Sequence, residues 1–594
     1  MAQANANRAW PQRFSRALGR ARSALAGDRF QMAALLAFLL NAFLVSASFF
    51  PNLREINAWD EAAYVNSGRM LLKGQWPQFS NSPLVALFYA VTYLPYAGSA
   101  FWLVRSTSLG RILLFGLVWL GAYAAGKRLA PLTHPLIMAG LLLVSAIPVS
   151  LLSFPSDPLY VGLAAMSLAQ VVGYIETDDR KHLWRASLFI GLAALARNDG
   201  LVLGFSLIGL TLILARSRRE AWRAALASAA PFAALVGGYV LFFGLLTGRF
   251  ELGTQQRTYD NFEAGHQVIY AGEGQVNPVL EAKLEARRVF GTPEENRNSV
   301  VRAILRNPQA YLARLLTVAR ALPAQLLAAY GKRAAVPIFL LALRGAWELL
   351  RRRRFRLLAA LAVWPVPLLS GFLITLFRAG HLQFPFYVVY GLAAIGALAA
   401  VRNLGSRKEQ AFWALGLLLF ALYGVLDNKL AISYGALVAL SGLGLGLWAR
   451  ASFSQGASGV AVPCLLLLAG GLLLHGDYPG PKVRTLGEAP DERAVLFLQE
   501  HFEPGTPVAA GSPGPIYAAR MTYMGLASLD VPMGRSPQEF LDWMVAQGIQ
   551  AVYVDASLSY DNPYFWEQIS GLIGAGVERA FAAEEGDIQV LLVQ

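Results

Sequence analysis

An acidic pair, Asp60 and Glu61, follows an apolar run that ends at Phe50, with Trp59 before it and Tyr64 after it. A carboxylate at a partly apolar boundary holds or takes a proton more readily than one in bulk water, as general-base work requires. If the segment is helical, Asp60 and Tyr64 share a face at i, i+4. Two adjacent carboxylates in a loop are equally compatible with plain solvation; it is their place beside an apolar span that gives them chemical interest.

Three further polar groups interrupt apolar sequence. Ser156-Asp157-Pro158 opens a hydrophobic stretch, where Asp before Pro is also an ordinary helix start. Ala196-Arg197-Asn198-Asp199-Gly200 divides a long apolar run, a break that either faces a cavity or forms a turn between spans. Arg378 and His381 precede Leu382-Gln383-Phe384-Pro385, a helix-start pattern in which the histidine is also compatible with a plain loop position. Guanidinium groups suit phosphate oxygens bidentately, so Arg197 and Arg378 are candidate anion partners.

Membrane helices must position these groups. With 56% hydrophobic and only 15% charged residues over 594 positions, the chain is a polytopic α-helical membrane protein, not a soluble globule. Windows of the ~20 residues needed to cross a bilayer recur from Gln31 to His475, and hydropathy suggests roughly thirteen spans. Arginines from Arg8 to Arg29 precede the first window, which lacks a small-residue cleavage pattern before Pro51 and reads as a retained span. With that basic tail (residues 1–29) in the cytoplasm, Lys127-Arg128, Arg180-Lys181, Arg216/Arg218/Arg219, Arg351 to Arg354 and Arg407-Lys408 all fall inside. The same rule accounts for the +14 net charge without nucleic acid. It also makes Ser82 to Ala100 a helix lying at the outer interface, with Tyr89, Tyr93, Tyr96 and Trp102 at headgroup level.

The expected organisation is a transmembrane module over residues 30–475 with outer loops at 51–108 and 247–332. An extracytoplasmic α/β domain follows at 476–594. In that domain Asp491 to His501 and Pro537 to Gln547 read as helices, and Pro507 to Ala510, Ile549 to Val554 and Asp587 to Val593 as strands. The one cysteine, Cys464, cannot form an internal disulfide, and no GxxxxGK[ST] loop is present.

A span, then Asp60-Glu61 early in a long outer loop, Tyr64, Leu71-Leu72-Lys73-Gly74 and Ser82-Pro83-Leu84 together resemble the GT-C glycosyltransferases. The nearest patterns are the protein O-mannosyltransferase, lipid A aminoarabinose transferase and rhizobial lipopolysaccharide glycosyltransferase-like families. The likeness runs to about Arg216 and more loosely to about Ala400. It implies a GT-C fold, a polyprenyl-phosphate-linked sugar donor, and an extracytoplasmic glycan, lipid or protein acceptor; the Ala- and Arg-rich composition is compatible with a bacterial inner (plasma) membrane. The likeness further implies Asp60 as general base with inversion, Glu61 as a positioning group, and Tyr64, Asp157, Arg197, Asp199, Arg378 and His381 around the substrates. Asp60 and Asp157 would be the ligands of a divalent metal, Mg or Mn, if one is used. Many relatives carry Arg-Tyr where this chain has Gln383-Phe384, so Arg378 or His381 would take that part. Gln255 to Arg257, Tyr259-Asp260 and His266 are expected to face the acceptor side. A lipid-linked-sugar flippase would need similar spans but shows paired halves, which this sequence lacks; a noncatalytic scaffold would leave Asp60 and Glu61 without a task.

Overall fold

The computed structural model describes residues 59–75, 82–129, 156–215, 217–248, 255–270, 278–330, 332–374, 379–403, 489–525, 536–555, 563–583 and 588–594, with a few single positions between them. The first span, most of the stretch from 404 to 488, Arg378 and the side chain of Asp60 lie outside the described set.

Helix α1 (Trp59–Leu72) packs against α2 (Pro83–Tyr93), which runs into a short 3-10 turn at Leu94–Tyr96 and then into α3 (Trp102–Leu129). The backbones of α1 and α2 meet at Gly68, where a Cβ would stand 2.6 Å from the Tyr89 carbonyl carbon. The outer side of α2 leaves Leu87 and Val91 exposed, with Leu94 of the following turn, as suits an interfacial helix. The aromatics assigned to headgroup level behave differently: Tyr89, Tyr93 and Trp102 are buried in protein. Tyr89 and Trp102 accordingly give their polar ends to protein acceptors rather than headgroups, and Tyr93 packs edge-on against Trp102.

Helices α4 (Ser156–Thr177), α5 (Arg180–Ala196), α6 (Asp199–Leu214) and α7 (Arg218–Thr247) continue the bundle. Among the described residues three helices, α3, α4 and α7, are long and apolar enough to cross a membrane. Shorter apolar helices include α6, and the expected count of roughly thirteen extends over sequence outside the described set.

Pro231 interrupts α7, and the bundle repairs the damage locally. The Phe232 amide donates to Ser187 Oγ on α5 at 3.0 Å, and that hydroxyl donates on to the Ser228 carbonyl. One serine thus bridges an N–H and C=O that would otherwise pair within the helix. This is the kind of side-chain satisfaction that lets proline persist in a membrane helix.

Ion pairs separate the two ends of the bundle. Arg128 meets Glu176 at 3.1 Å and Arg356 meets Asp178 at 2.9 Å, so the carboxyl ends of α3 and α4 share one end with the basic run near residue 351. The amino ends of α3 and α4 and the turn from α5 to α6 form the other.

The stretch after α7 contains α8 (Gln255–Ala264), α9 (Gln267–Tyr270), α10 (Pro278–Phe290), α11 (Val300–Arg306) and α12 (Pro308–Ala329). Tyr259, Phe262, Phe290 and Ala303 make a separate small core there. Helices α13 (Lys332–Arg351), α14 (Phe355–Val363) and α15 (Val366–Ile374) follow. A 3-10 turn at Ala379–Gln383 then leads to α16 (Phe386–Asn403).

The C-terminal unit comprises α17 (Pro490–His501), β1 (Pro507–Ala510), α18 (Pro513–Ala518), β2 (Thr522–Gly525), α19 (Pro537–Ala546), β3 (Ala551–Val554), α20 (Pro563–Gly571), β4 (Val577–Ala582) and β5 (Gln589–Val593). Its sheet has the order β2-β1-β3-β5-β4, with β2, β1 and β3 parallel and the last two pairings antiparallel. Alternation assigns the faces: Val508, Ala510 and Tyr553 join the core shared with α17 and α18, while Ala509, Val552 and Val554 pack with Phe540, Met544 and Phe565. This unit docks on the amino ends of the helices. Trp102 Nε1 donates to the Ala518 carbonyl at 3.2 Å, Arg520 Nη2 to Ala97 O at 3.0 Å, and Gln499 Nε2 to Ala100 O at 3.2 Å.

Candidate functional site

Asp60 and Glu61 occupy the first turn of α1. Glu61 is turned into protein and is 1% exposed. Its Oε1 accepts from Tyr89 Oη at 2.7 Å and from Arg111 Nε at 3.1 Å, and its Oε2 accepts from Arg111 Nη2. Both carboxylate oxygens are therefore engaged, and Glu61 fastens the first turn of α1 to α2 and α3. Sequence reading overlooked Arg111. The available signal was an arginine within an apolar helix, a placement that calls for a buried carboxylate partner.

Four of the sequence-predicted residues come together a short distance along the same end. Helix α5 stops at Ala196 because Arg197 turns to an extended conformation, with φ −152° and ψ 142°. Gly200 lets α6 begin close against the end of α5, since a Cβ there would stand 2.6 Å from the Ala193 carbonyl carbon. Arg197 Nε donates to Asp199 Oδ2 at 2.8 Å, and Nη1 donates to Asp157 Oδ1 and to Ser156 Oγ, the latter at 3.4 Å. Nη2 lies 3.5 Å from His381 Nε2, and the guanidinium sits over the Phe384 ring at 5.0 Å. Phe384 in turn touches His381 and Tyr160, with ring centroids 5.1 Å and 5.4 Å away.

The segments starting at 156, 197 and 379 thus converge on one cation. Burial works against the Arg197 charge, but Asp157 and Asp199 outweigh it and raise its pKa, so the guanidinium stays charged at any accessible pH. Tyr64, buried on α1, is near enough to influence both Arg197 and Tyr89 electrostatically, so α1 runs close to both ionic networks.

This geometry refines two expectations. Arg197 is bound to two carboxylates and is not an open phosphate hook. Asp157, already neutralised by that guanidinium, would have to exchange it for a divalent cation. Among the described residues no group of three His, Cys, Asp or Glu is arranged to hold a metal, and the side chain of Asp60, the other expected ligand, lies outside the described set.

The long loop also departs from expectation. Tyr259 donates to the Gly291 carbonyl at 2.7 Å inside the small core, and His266 is buried against Phe290. Asp260 pairs with Lys283 at 2.6 Å. Tyr259 and His266 hold that subdomain together rather than presenting themselves to an acceptor.

Comparison with known proteins places this architecture. No protein-family profile matches the chain, and no curated protein matches it significantly by sequence. Solved structures do match, and what they share with this chain is the fold. ArnT from Cupriavidus metallidurans, solved in the apo state, aligns over 94% of this chain and 98% of its own, with TM-score 0.50 and 15% identity. The archaeal oligosaccharyltransferase AglB from Archaeoglobus fulgidus, in complex with an inhibitory peptide and a dolichol-phosphate, aligns over 96% of this chain and 75% of its own, with TM-score 0.47 and 12% identity.

Proposed function

We propose that this protein is an integral membrane glycosyltransferase that moves a sugar from a polyprenyl-phosphate carrier to an acceptor on the extracytoplasmic side. The observation that supports this reading most is the meeting of Asp157, Arg197, Asp199 and His381 beside the helix that carries Asp60, at the end of the bundle opposite the basic clusters. Scattered loop residues would not be drawn into one largely buried cluster around a single guanidinium.

In this reading Asp60 takes the proton of an acceptor hydroxyl as its oxygen attacks the anomeric carbon. The new C–O bond forms as the bond from that carbon to the phosphate oxygen breaks, and polyprenyl phosphate leaves with inversion. Glu61, locked by Arg111 and Tyr89, is a positioning residue that fixes the pitch of the first turn of α1. Arg197 holds Asp157 and Asp199 in place as a wall of the sugar site. Arg378 and His381, from the segment before α16, meet the departing phosphate. The chain would lie in the plasma membrane with its amino terminus cytoplasmic and its C-terminal unit outside.

The test is release of polyprenyl phosphate from a panel of polyprenyl-phosphate sugars in lipid nanodiscs, with crude envelope glycolipid as acceptor, for wild type beside Asp60→Asn. Turnover that collapses in the folded variant supports the assignment. Undiminished turnover removes Asp60 as base, and transbilayer donor movement without turnover would make the protein a flippase.

A further inference from the structure

At the opposite end of the bundle a cavity of about 540 Å³ opens between the last turns of α3 and α4, lined by Tyr123, Lys127, Arg128, Gln170 and Glu176. Ala124 and Ala169 also line it, and their small side chains leave room between the two helices. From its residues and its place at the membrane boundary, we infer that this cavity binds the phosphodiester headgroup of an anionic glycerophospholipid.

The lining is a set of donors. Tyr123 and Lys127 lie one turn apart on the same face of α3. Lys127 is exposed and forms no ion pair among the described residues. Arg128 is half-exposed and shares its charge with Glu176 at 3.1 Å, a pair loose enough to admit a competing oxyanion. Gln170 Oε1 lies 2.8 Å from His182 Nδ1, which leaves its amide NH2 as the donor end for the cavity. Two cations and one carboxylate give the lining a net charge of +1 by side-chain count, matching a singly charged phosphodiester.

Location favours a lipid over a free anion. The helices α3 and α4 are two of the three among the described residues that are long and apolar enough to cross a bilayer, and the cavity lies toward their carboxyl ends, where a spanning helix meets the headgroup layer. The basic runs at Arg180-Lys181 and Arg351 to Arg354 adjoin the same end, as the Arg356–Asp178 contact shows, and add to the attraction for an anionic leaflet. Basic recesses between membrane helices on that side are suited to acidic headgroups. The site is remote from the Asp157–Arg197 cluster and does not depend on the proposed transferase activity.

Native mass spectrometry of the delipidated full chain, titrated with dioleoylphosphatidylglycerol or dioleoylphosphatidylcholine, tests this. The expected result is retention of the anionic lipid over the zwitterionic one by wild type, reduced several-fold in Lys127→Ala and in Ala169→Leu, which fills the recess without changing charge. Lys127→Ala alters an exposed side chain and leaves folding intact, so its result is interpretable even if Ala169→Leu does not fold. Anionic-lipid retention that survives Lys127→Ala overturns the proposal, as does equal retention of both lipids. Displacement by inorganic phosphate as effective as by the lipid would overturn the assignment to a headgroup.

Discussion

Arg111, within helix α3, donates from Nε to Glu61 Oε1 at 3.1 Å and from Nη2 to Oε2, closing a two-point ion pair across 50 positions of sequence. The pair is nearly enclosed, with Glu61 1% and Arg111 11% exposed. It fixes where the first turn of α1, and hence Asp60, stands relative to the first long span. Tyr89 completes the arrangement from α2, so three elements share one carboxylate.

Removing one partner leaves the other charged in a dry setting, which costs about 3–5 kcal/mol, whereas replacing both with apolar groups is often neutral. Arg111→Met is therefore expected to lower thermal stability sharply in detergent, followed by intrinsic tryptophan fluorescence. The double variant Glu61→Leu/Arg111→Met should recover most of the loss. A double variant as unstable as the single one would mean the pair does more than balance charge.

Arg197 engages Asp157 and Asp199 from different nitrogens of one planar fork. A lysine ammonium is a point charge and cannot reproduce that span. Arg197→Lys should retain the fold yet lose at least about tenfold in turnover, since the side chains it aligns would be held by one contact instead of several. Polyprenyl-phosphate release measured at saturating donor would check this; unchanged turnover would reduce Arg197 to a packing role.

What the sequence made legible follows from what it encodes locally. Apolar runs and basic clusters record span direction, which is why Arg128 and Arg356 lie at one end and Arg197 at the other. Short apolar tetrads gave β1 at Pro507–Ala510 and the core of β3. Long-range pairings are not local and stayed hidden. Arg111 finds Glu61 only once α1, α2 and α3 pack. Strand β2, Thr-Tyr-Met-Gly, is a half-exposed edge strand without alternation, and β4 carries Glu578, Arg579 and other exposed side chains. Tyr259 and His266 look like polar loop residues until α8, α10 and α12 fold around them.

Gly68 is the point where the α1 backbone touches α2, with the Tyr89 carbonyl carbon 2.6 Å from where a Cβ would stand. Because the neighbour is backbone, it cannot rotate away, and overpacking of this kind costs about 1–3 kcal/mol. Gly68→Ala should push α1 off α2 and lengthen the Tyr89–Glu61 contact. The expected outcome is lost turnover with a smaller loss of stability than Arg111→Met, measured on the same preparations. Full activity in Gly68→Ala would show that the position of α1 is not set by this contact.

His266 provides a pH-dependent reading of the long loop. Burial, aided by the nearby Arg314 charge and opposed by Glu285, lowers its pKa below the ordinary histidine value, and its Nδ1 has no hydrogen-bond partner among the described residues. The unfolded chain therefore binds a proton more readily than the folded one. Stability from this group is fully present above the unfolded pKa of about 6.5 and is lost as pH falls toward the lower folded value. Amide hydrogen exchange in Gln255–Ala264 and Pro278–Phe290, corrected for intrinsic rate, should accelerate on acidification from about pH 7.5 to about 5.5. His266→Phe, which cannot take a proton, should flatten that dependence. The same acceleration in His266→Phe would assign the effect to another group, with Glu263 excluded because its raised pKa acts in the opposite direction, stabilising the fold as pH falls.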